Sequence, residues 1–270
     1  MKKLFILLLG LIVFLAIACQ DHTSNPTSQP KYPTQTGNQW EYQTSISFEY
    51  YDTLGNIDSV ETIDLGNTIV RIESENDTVN GISNLVLFSS YEVATPDSAQ
   101  RSWYSNADSG LYVIAYSGAG KAQPVLPKIN SLNHLVRLTL MNCMNMLPNL
   151  SPIINTIMSD SILFYDPPRK ALAYPLSTNV RWIELVYPFY RERYVDELKS
   201  VQVPAGVYNC YTIKSDWDLD IEFTDYMNLT NGLISRILFA DSLGISTIDN
   251  PDILLYARFK SNSQLISKSF

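Results

Sequence analysis

Histidine is nearly absent from this 270-residue chain, which carries only His22 and His134. Cysteine is scarce as well, with Cys19, Cys143 and Cys210 the only three. Zinc and most transition-metal centres draw on clusters of these two residue types, so the composition speaks against them. No Gly-x-Ser-x-Gly, His-Glu-x-x-His or Cys-x-x-Cys occurs, and a Ser-His-Asp or Cys-His arrangement would have to use His134. Charge is sparse too, at 17% of residues, and it is unbalanced: 27 acidic against 19 basic side chains, a net charge of −8. An acidic surface repels nucleic acid and anionic lipid head groups, so no nucleic-acid partner is expected. What the chain does have is 46% hydrophobic residues and seventeen tyrosines, enough for a sizeable core and a composition suited to strands.

The one long apolar run stretches from Leu4 to Ala18, behind Lys2 and Lys3. It is shorter than the roughly 20 apolar residues a membrane-spanning helix needs, and its flanks are those of a signal sequence. Ala16 and Ala18 stand three and one positions before Cys19, with Leu15 just ahead. This resembles the lipobox of bacterial lipoproteins, which implies cleavage before Cys19, acylation of its thiol and anchoring to a membrane by acyl chains. Two or more chains anchor stably where one is marginal. Gln20, where an aspartate would favour inner-membrane retention, points by the same resemblance to the outer membrane and leaves its face open. With Cys19 assigned to lipid, Cys143 and Cys210 are the only pair for a disulfide. Their apolar neighbours equally suit two buried free thiols.

Three segments follow: a signal peptide over residues 1–18, a disordered tether over 19–36 broken by Pro26, Pro30 and Pro33, and one β-rich domain over 37–270. From Trp40 to Tyr50 the even positions Trp40, Tyr42, Ile46, Phe48 and Tyr50 alternate with polar residues, the period of a half-buried strand. Similar runs predict strands near 60–74, 82–93, 101–105, 111–117, 161–165, 180–187, 192–202, 207–223, 233–239 and 253–260. The linkers between them are too short for helical crossovers, so the pairing is antiparallel. Only Ile129, Leu132, Val136, Leu140, Cys143 and Leu147 fall at helical spacing, which predicts one amphipathic helix over 129–147, with a short second helix over 153–158.

Two patterns invite a chemical reading. Asp216, Asp218, Asp220 and Glu222 alternate with Trp217, Leu219 and Ile221 and form an acidic ladder on one face of the 207–223 strand, a weak oxygen-ligand metal candidate. An EF-hand loop starting at Asp216 lacks its glycine, since Ile221 stands there, and its terminal glutamate, since Met227 stands there; a solvated strand face accounts for the ladder equally well. Ser117-Gly118-Ala119-Gly120-Lys121-Ala122 misses two positions of a phosphate-binding loop and reads as a turn. No cofactor or catalytic residue is assigned, and an enzyme is disfavoured.

Gly37-Asn38-Gln39-Trp40-Glu41-Tyr42 and Val201-Gln202-Val203-Pro204-Ala205-Gly206-Val207-Tyr208 resemble the "GN-x-W-x-Y" opening and the "VPAG" turn of uncharacterised bacterial outer-membrane lipoproteins. Leu243-Gly244-Ile245 resembles the turn before their final strand. A similar VPAG turn marks periplasmic proteins of the DUF3108 type, grouped with the lipoprotein carriers LolA and LolB. The resemblance implies a single curved antiparallel sheet, a half-barrel of about ten strands closed on its concave side by the 129–147 helix; a β-sandwich is the alternative. It further implies an apolar cleft for a hydrophobic ligand or an acyl chain, lined by Trp40, Tyr42, Ile46, Phe48 and Trp182, against which stands a plain packed core. Two other occupations remain: a structural or assembly lipoprotein acting through contacts with another envelope protein, and a glycan-binding module using Tyr187, Phe189, Tyr190 and Tyr194.

Overall fold

Alternating apolar and polar positions run through almost the whole described chain, and they fold it into strands. The computed structural model describes residues 29–52, 54–94, 96, 99–117, 162–186, 190–217, 221–246 and 254–270. Lys31–Phe270 make up one compact unit. Twelve strands form it: β1 (Gln39–Tyr51), β2 (Ile57–Val79), β3 (Ile82–Glu92), β4 (Gln100–Ala107), β5 (Gly110–Ser117), β6 (Ile162–Ala173), β7 (Arg181–Leu185), β8 (Arg191–Val203), β9 (Gly206–Trp217), β10 (Ile221–Asn228), β11 (Gly232–Ser246) and β12 (Leu254–Ser269).

All twelve belong to one antiparallel sheet in the order β6-β5-β4-β3-β2-β1-β12-β11-β10-β9-β8-β7. Each half is a meander, and β1 joins the halves by pairing with β12 along its whole length. The two ends of this order, β6 and β7, are consecutive in sequence. The connection 174–180 can reach at most roughly 25 Å, so the sheet must curl until its edges meet. The indole N–H of Trp182 on β7 donates to the Lys170 carbonyl of β6 at 3.0 Å, and Arg169 of β6 pairs with Glu184 of β7 across the same seam. The result is a nearly closed barrel, and closure removes the exposed edges an open sheet would present.

The single curved antiparallel sheet matches the expected fold class, with twelve strands in place of about ten and with closure carried further than a half-barrel. The β-sandwich alternative is excluded for the described residues, because all of their strands lie in one sheet. The 129–147 helix, the second helix over 153–158, His134 and Cys143 lie outside the described residues. The expected 207–223 strand is two strands, β9 and β10, which pair antiparallel with Lys214 opposite Thr224 and Tyr211 opposite Met227. Leu243-Gly244-Ile245 is not a turn but the last part of β11, paired with Ala257, Tyr256 and Leu255 of β12.

The VPAG segment is the turn its residues imply. Val203 pairs with Gly206, Pro204 and Ala205 form the two-residue loop between β8 and β9, and Gly206 takes φ +136°. The fold starts earlier than Gly37. Tyr32 is buried against Trp40 and Phe88, with ring centroids 5.7 and 6.1 Å away. Its backbone N–H donates to the Tyr174 hydroxyl, that hydroxyl donates to Asn106 Oδ1, and Asn106 Nδ2 donates back to the Tyr32 carbonyl. A closed loop of three hydrogen bonds therefore ties the segment just before Gly37 to the barrel.

Candidate functional site

The inner wall of the barrel is apolar at both ends of its strands and charged between them. On β1, Trp40 and Tyr42 precede Thr44, and Ile46 and Phe48 follow it, all facing one way by strand alternation. The partner strands repeat the order. Thr44 pairs with Ser263 of β12 and Ser263 with Arg236 of β11; Arg236 pairs with Asp225 of β10. Toward one end of this row lie Tyr42, Leu265, Ile234 and Met227 of the main apolar cluster. Toward the other lie Phe48, Phe259, Leu238 and Phe223, all buried. On β9 and β8 the row itself meets the buried apolar Ile213 and Val195; beside it stand Arg193 on β8, Glu184 on β7 and, across the seam, Arg169 on β6, which is register-paired with Val113. The charged side chains thus form a belt over β6, β7, β8, β10 and β11, with buried apolar residues on both sides of it.

Burial makes this belt unusual. Glu184, Arg193 and Asp225 keep only 3%, 4% and 1% of their surface, and Arg169 and Arg191 are buried as well. Charges are rarely fully buried unless paired, because desolvation costs several kcal/mol per ion. Here the pairing is close. Glu184 Oε1 accepts from Arg169 Nε at 2.9 Å and lies 2.8 Å from its Nη2; Glu184 Oε2 lies 2.6 Å from Arg191 Nε and 3.8 Å from Arg193 Nε. Asp225 Oδ2 accepts from Arg193 Nη2 at 2.6 Å, and Asp225 takes a two-pronged contact from Arg236, at 2.6 and 2.9 Å. Such forked contacts are the strong form of carboxylate–guanidinium pairing.

The electrostatics follow from these distances. Burial alone would raise the Glu184 carboxyl, but Arg169, Arg191 and Arg193 overcome it and hold it at about 2. Asp225 is held well below the carboxylate range in the same way, by Arg236 and Arg193 acting against burial. Burial pulls Arg191 down to about 10, opposed by Glu184 and reinforced by Arg169 and Arg193. Burial also works to lower Arg169, yet Glu184 leaves it above the ordinary guanidinium value. The belt is therefore a set of fixed charges at neutral pH.

None of the six belt charges was among the sequence candidates. A signal does exist: Asp225 stands between Phe223 and Met227, Arg193 precedes Val195 by two, and Glu184 follows Trp182 by two. In each case a charged residue occupies the inward register of an otherwise apolar face. The five expected lining residues are all buried, but the belt separates them. Trp40, Tyr42 and Trp182 belong to the main packed cluster, whereas Ile46 and Phe48 lie beyond Thr44. Trp40 is fixed by donation from Nε1 to the Asn231 carbonyl at 2.7 Å, and Tyr42 by donation to the Leu233 carbonyl at 2.8 Å.

The acidic ladder is divided between two strands. Asp216 and Glu222 are exposed on different strands, β9 and β10, and Asp218 and Asp220 lie outside the described residues. Among the described residues no group of three or more metal-binding side chains occurs. Cys210 is a buried free thiol raised by burial to about 11, and Cys19 lies outside the described residues. Of the proposed sugar-stacking rings, Tyr190 is exposed and Tyr194 lies under the Arg181 guanidinium at 4.4 Å; Tyr187 and Phe189 lie outside the described residues.

No protein-family model matches the chain, and no curated protein matches it. Among solved structures, a provisionally assigned exported protein of Bacteroides fragilis with a YmcC-like fold is 11% identical. Its TM-score is 0.35, over 90% of this chain and 100% of its own. A provisionally assigned lipoprotein of Parabacteroides distasonis is 12% identical at a TM-score of 0.28, over 90% of this chain and 99% of its own. At these values the likeness bears on neither the site nor its use.

Proposed function

We propose that this chain is a lipid-anchored protein of the bacterial outer membrane that binds a hydrophobic ligand within its barrel and is not an enzyme. The anchoring half of this reading is supported by Lys2, Lys3, the Leu4–Ala18 run and Cys19. The non-catalytic half is supported by the belt. General acid–base catalysis needs a group that titrates near the working pH. Glu184, Asp225, Arg169 and Arg191 are instead locked in their charged forms by one another. The observation that carries the binding half is the apolar zone around Ile46, Phe48, Phe223, Leu238 and Phe259, set apart from the main core by charge. The ligand's apolar part belongs on that side.

A second reading, action through protein contacts, is favoured by the β1–β2 hairpin, whose Leu54, Ile57 and Val60 are exposed. Two experiments separate these readings. Wild-type protein is expected in the membrane fraction carrying labelled palmitate, and Cys19→Ala in the soluble fraction without label; a soluble, unlabelled wild type removes the anchor. Native mass spectrometry of gently purified protein should show a bound apolar molecule. A bare protein that captures one stoichiometric envelope partner on crosslinking makes protein contact the better account.

A further inference from the structure

Arg193 and Arg236 share a single carboxylate. Both reach Asp225, and through their Nη2 atoms both reach the same oxygen, Oδ2, at 2.6 and 2.9 Å. The other nearby carboxylate, Glu184, is engaged at 2.6–2.9 Å by Arg191 and Arg169 and comes no closer to Arg193 than 3.8 Å. Arg193 is 4% exposed, and its Nε, one of the five donors of a guanidinium that stays protonated, makes no hydrogen bond. Among the described residues four guanidinium groups thus face two carboxylates, a surplus of two positive charges, of which the group of Arg193, Arg236 and Asp225 holds one. That group also carries a buried donor with nothing to receive it. An unmatched buried donor and an unmatched buried charge are both costly, and an incoming anion relieves both.

The surroundings narrow the anion. The single surplus charge on Arg193, Arg236 and Asp225 matches a monoanion. A flat guanidinium edge takes a carboxylate by two parallel N–H···O contacts. Access comes from Arg236, whose side chain keeps 31% of its surface while Asp225 beneath it keeps almost none. The Arg236 guanidinium sits 5.0 Å above the ring of Phe223. Phe223 is register-paired with Leu238, and Phe259 lies beyond them with its ring 5.5 Å from Phe48. The charged end and the apolar zone are thus neighbours on one wall.

We propose that Arg193 and Arg236, braced by Asp225, receive the carboxylate of a long-chain carboxylic acid whose chain runs along Phe223, Leu238 and Phe259. The placement of the chain rests on the hydrophobic-ligand reading above; the carboxylate receptor does not. The test uses the full chain in dodecyl maltoside and four probes: decanoate labelled with 13C at the carboxyl, decanol, acetate and inorganic phosphate. Decanoate is expected to give a saturable protein-bound carboxyl resonance, with a dissociation constant below about 1 mM. Arg193→Met and Arg236→Gln should each weaken it at least about ten-fold, roughly the loss of one charge-assisted hydrogen bond.

Each substitution leaves Asp225 one guanidinium and Glu184 its own two. The strand circular dichroism should therefore persist, and if Arg193→Met does not fold, the more exposed Arg236→Gln decides. Acetate binding that competes with decanoate confirms the receptor, and acetate binding without decanoate binding confines it to small carboxylates and removes the chain. Decanol binding as well as decanoate, with both variants unaffected, overturns the receptor and leaves the hydrophobic-ligand reading intact. Preference for phosphate, or no binding of either carboxylate, overturns the proposal outright.

Discussion

Replacing Glu184 with glutamine tests the belt at its centre. The substitution keeps the shape of the side chain and removes one negative charge from beside Arg169, Arg191 and Arg193, whose nitrogens lie 2.6–3.8 Å away. Removing one partner of a buried pair costs about 3–5 kcal/mol, because the remaining charge is left desolvated. The carboxyl itself gives a second route to the magnitude. Held at about 2 against an ordinary 4.5, it contributes about 3 kcal/mol of folding stability at neutral pH, at 1.36 kcal/mol per tenfold change. Its folded value is depressed, so this contribution is complete above about 4.5 and is lost as the pH falls toward 2. Glu184→Gln should therefore lower the thermal midpoint at pH 7 by about 6–20 °C, at about 2–4 °C per kcal/mol for a domain of this size. It should also flatten the acid side of the stability profile between pH 4.5 and 2. Urea denaturation followed by circular dichroism across pH 2–7, in chloride without added carboxylates, measures both. A loss below about 1 kcal/mol at pH 7, or an acid profile parallel to that of the wild type, would show that Glu184 does not hold these guanidinium groups in place.

Two further outcomes follow from the packing. Gly232 takes φ +83°, and a Cβ placed on it would lie 2.8 Å from Trp40 Nε1 and 3.0 Å from the Tyr32 hydroxyl. Gly232→Ala should therefore cost at least about 2 kcal/mol in urea denaturation, from a left-handed backbone and a forced contact together; an unchanged midpoint would mean that β11 can shift away from the indole. In a Cys19→Ala, Cys143→Ser background, Cys210 is buried and its thiol is raised to about 11. It should react with a disulfide reagent at pH 8 far more slowly in the folded state than in urea, since the thiolate is the nucleophile; equal rates would place it at the surface.

The strands were legible because their cause is local. Trp40 to Tyr50 alternate so regularly that only a half-buried strand fits, and Pro204 with Gly206 can do little but turn the chain. The single 207–223 strand misled for the same reason. Asp216, Asp218, Asp220 and Glu222 keep perfect alternation, but alternation does not register a change of strand, and only the pairing of Lys214 with Thr224 shows that 207–223 spans both β9 and β10. Tyr32 was assigned to the tether because its neighbours are polar and proline-rich. Its place in the core depends on Tyr174 and Asn106, far along the chain.

The lipobox-like N-terminus, the mainly antiparallel β character and the poverty in metal ligands were set by the amino-acid sequence by itself, through composition and short-range periodicity. Tertiary structure alone decided that the sheet closes between β6 and β7, and that Arg169, Glu184, Arg191, Arg193, Asp225 and Arg236, spread over five strands, meet on one inner belt. The physical reason is that a charge inside a strand can lie on either face at no local cost. Which face is buried, and which opposite charges wait there, is settled only when strands distant in sequence come into register.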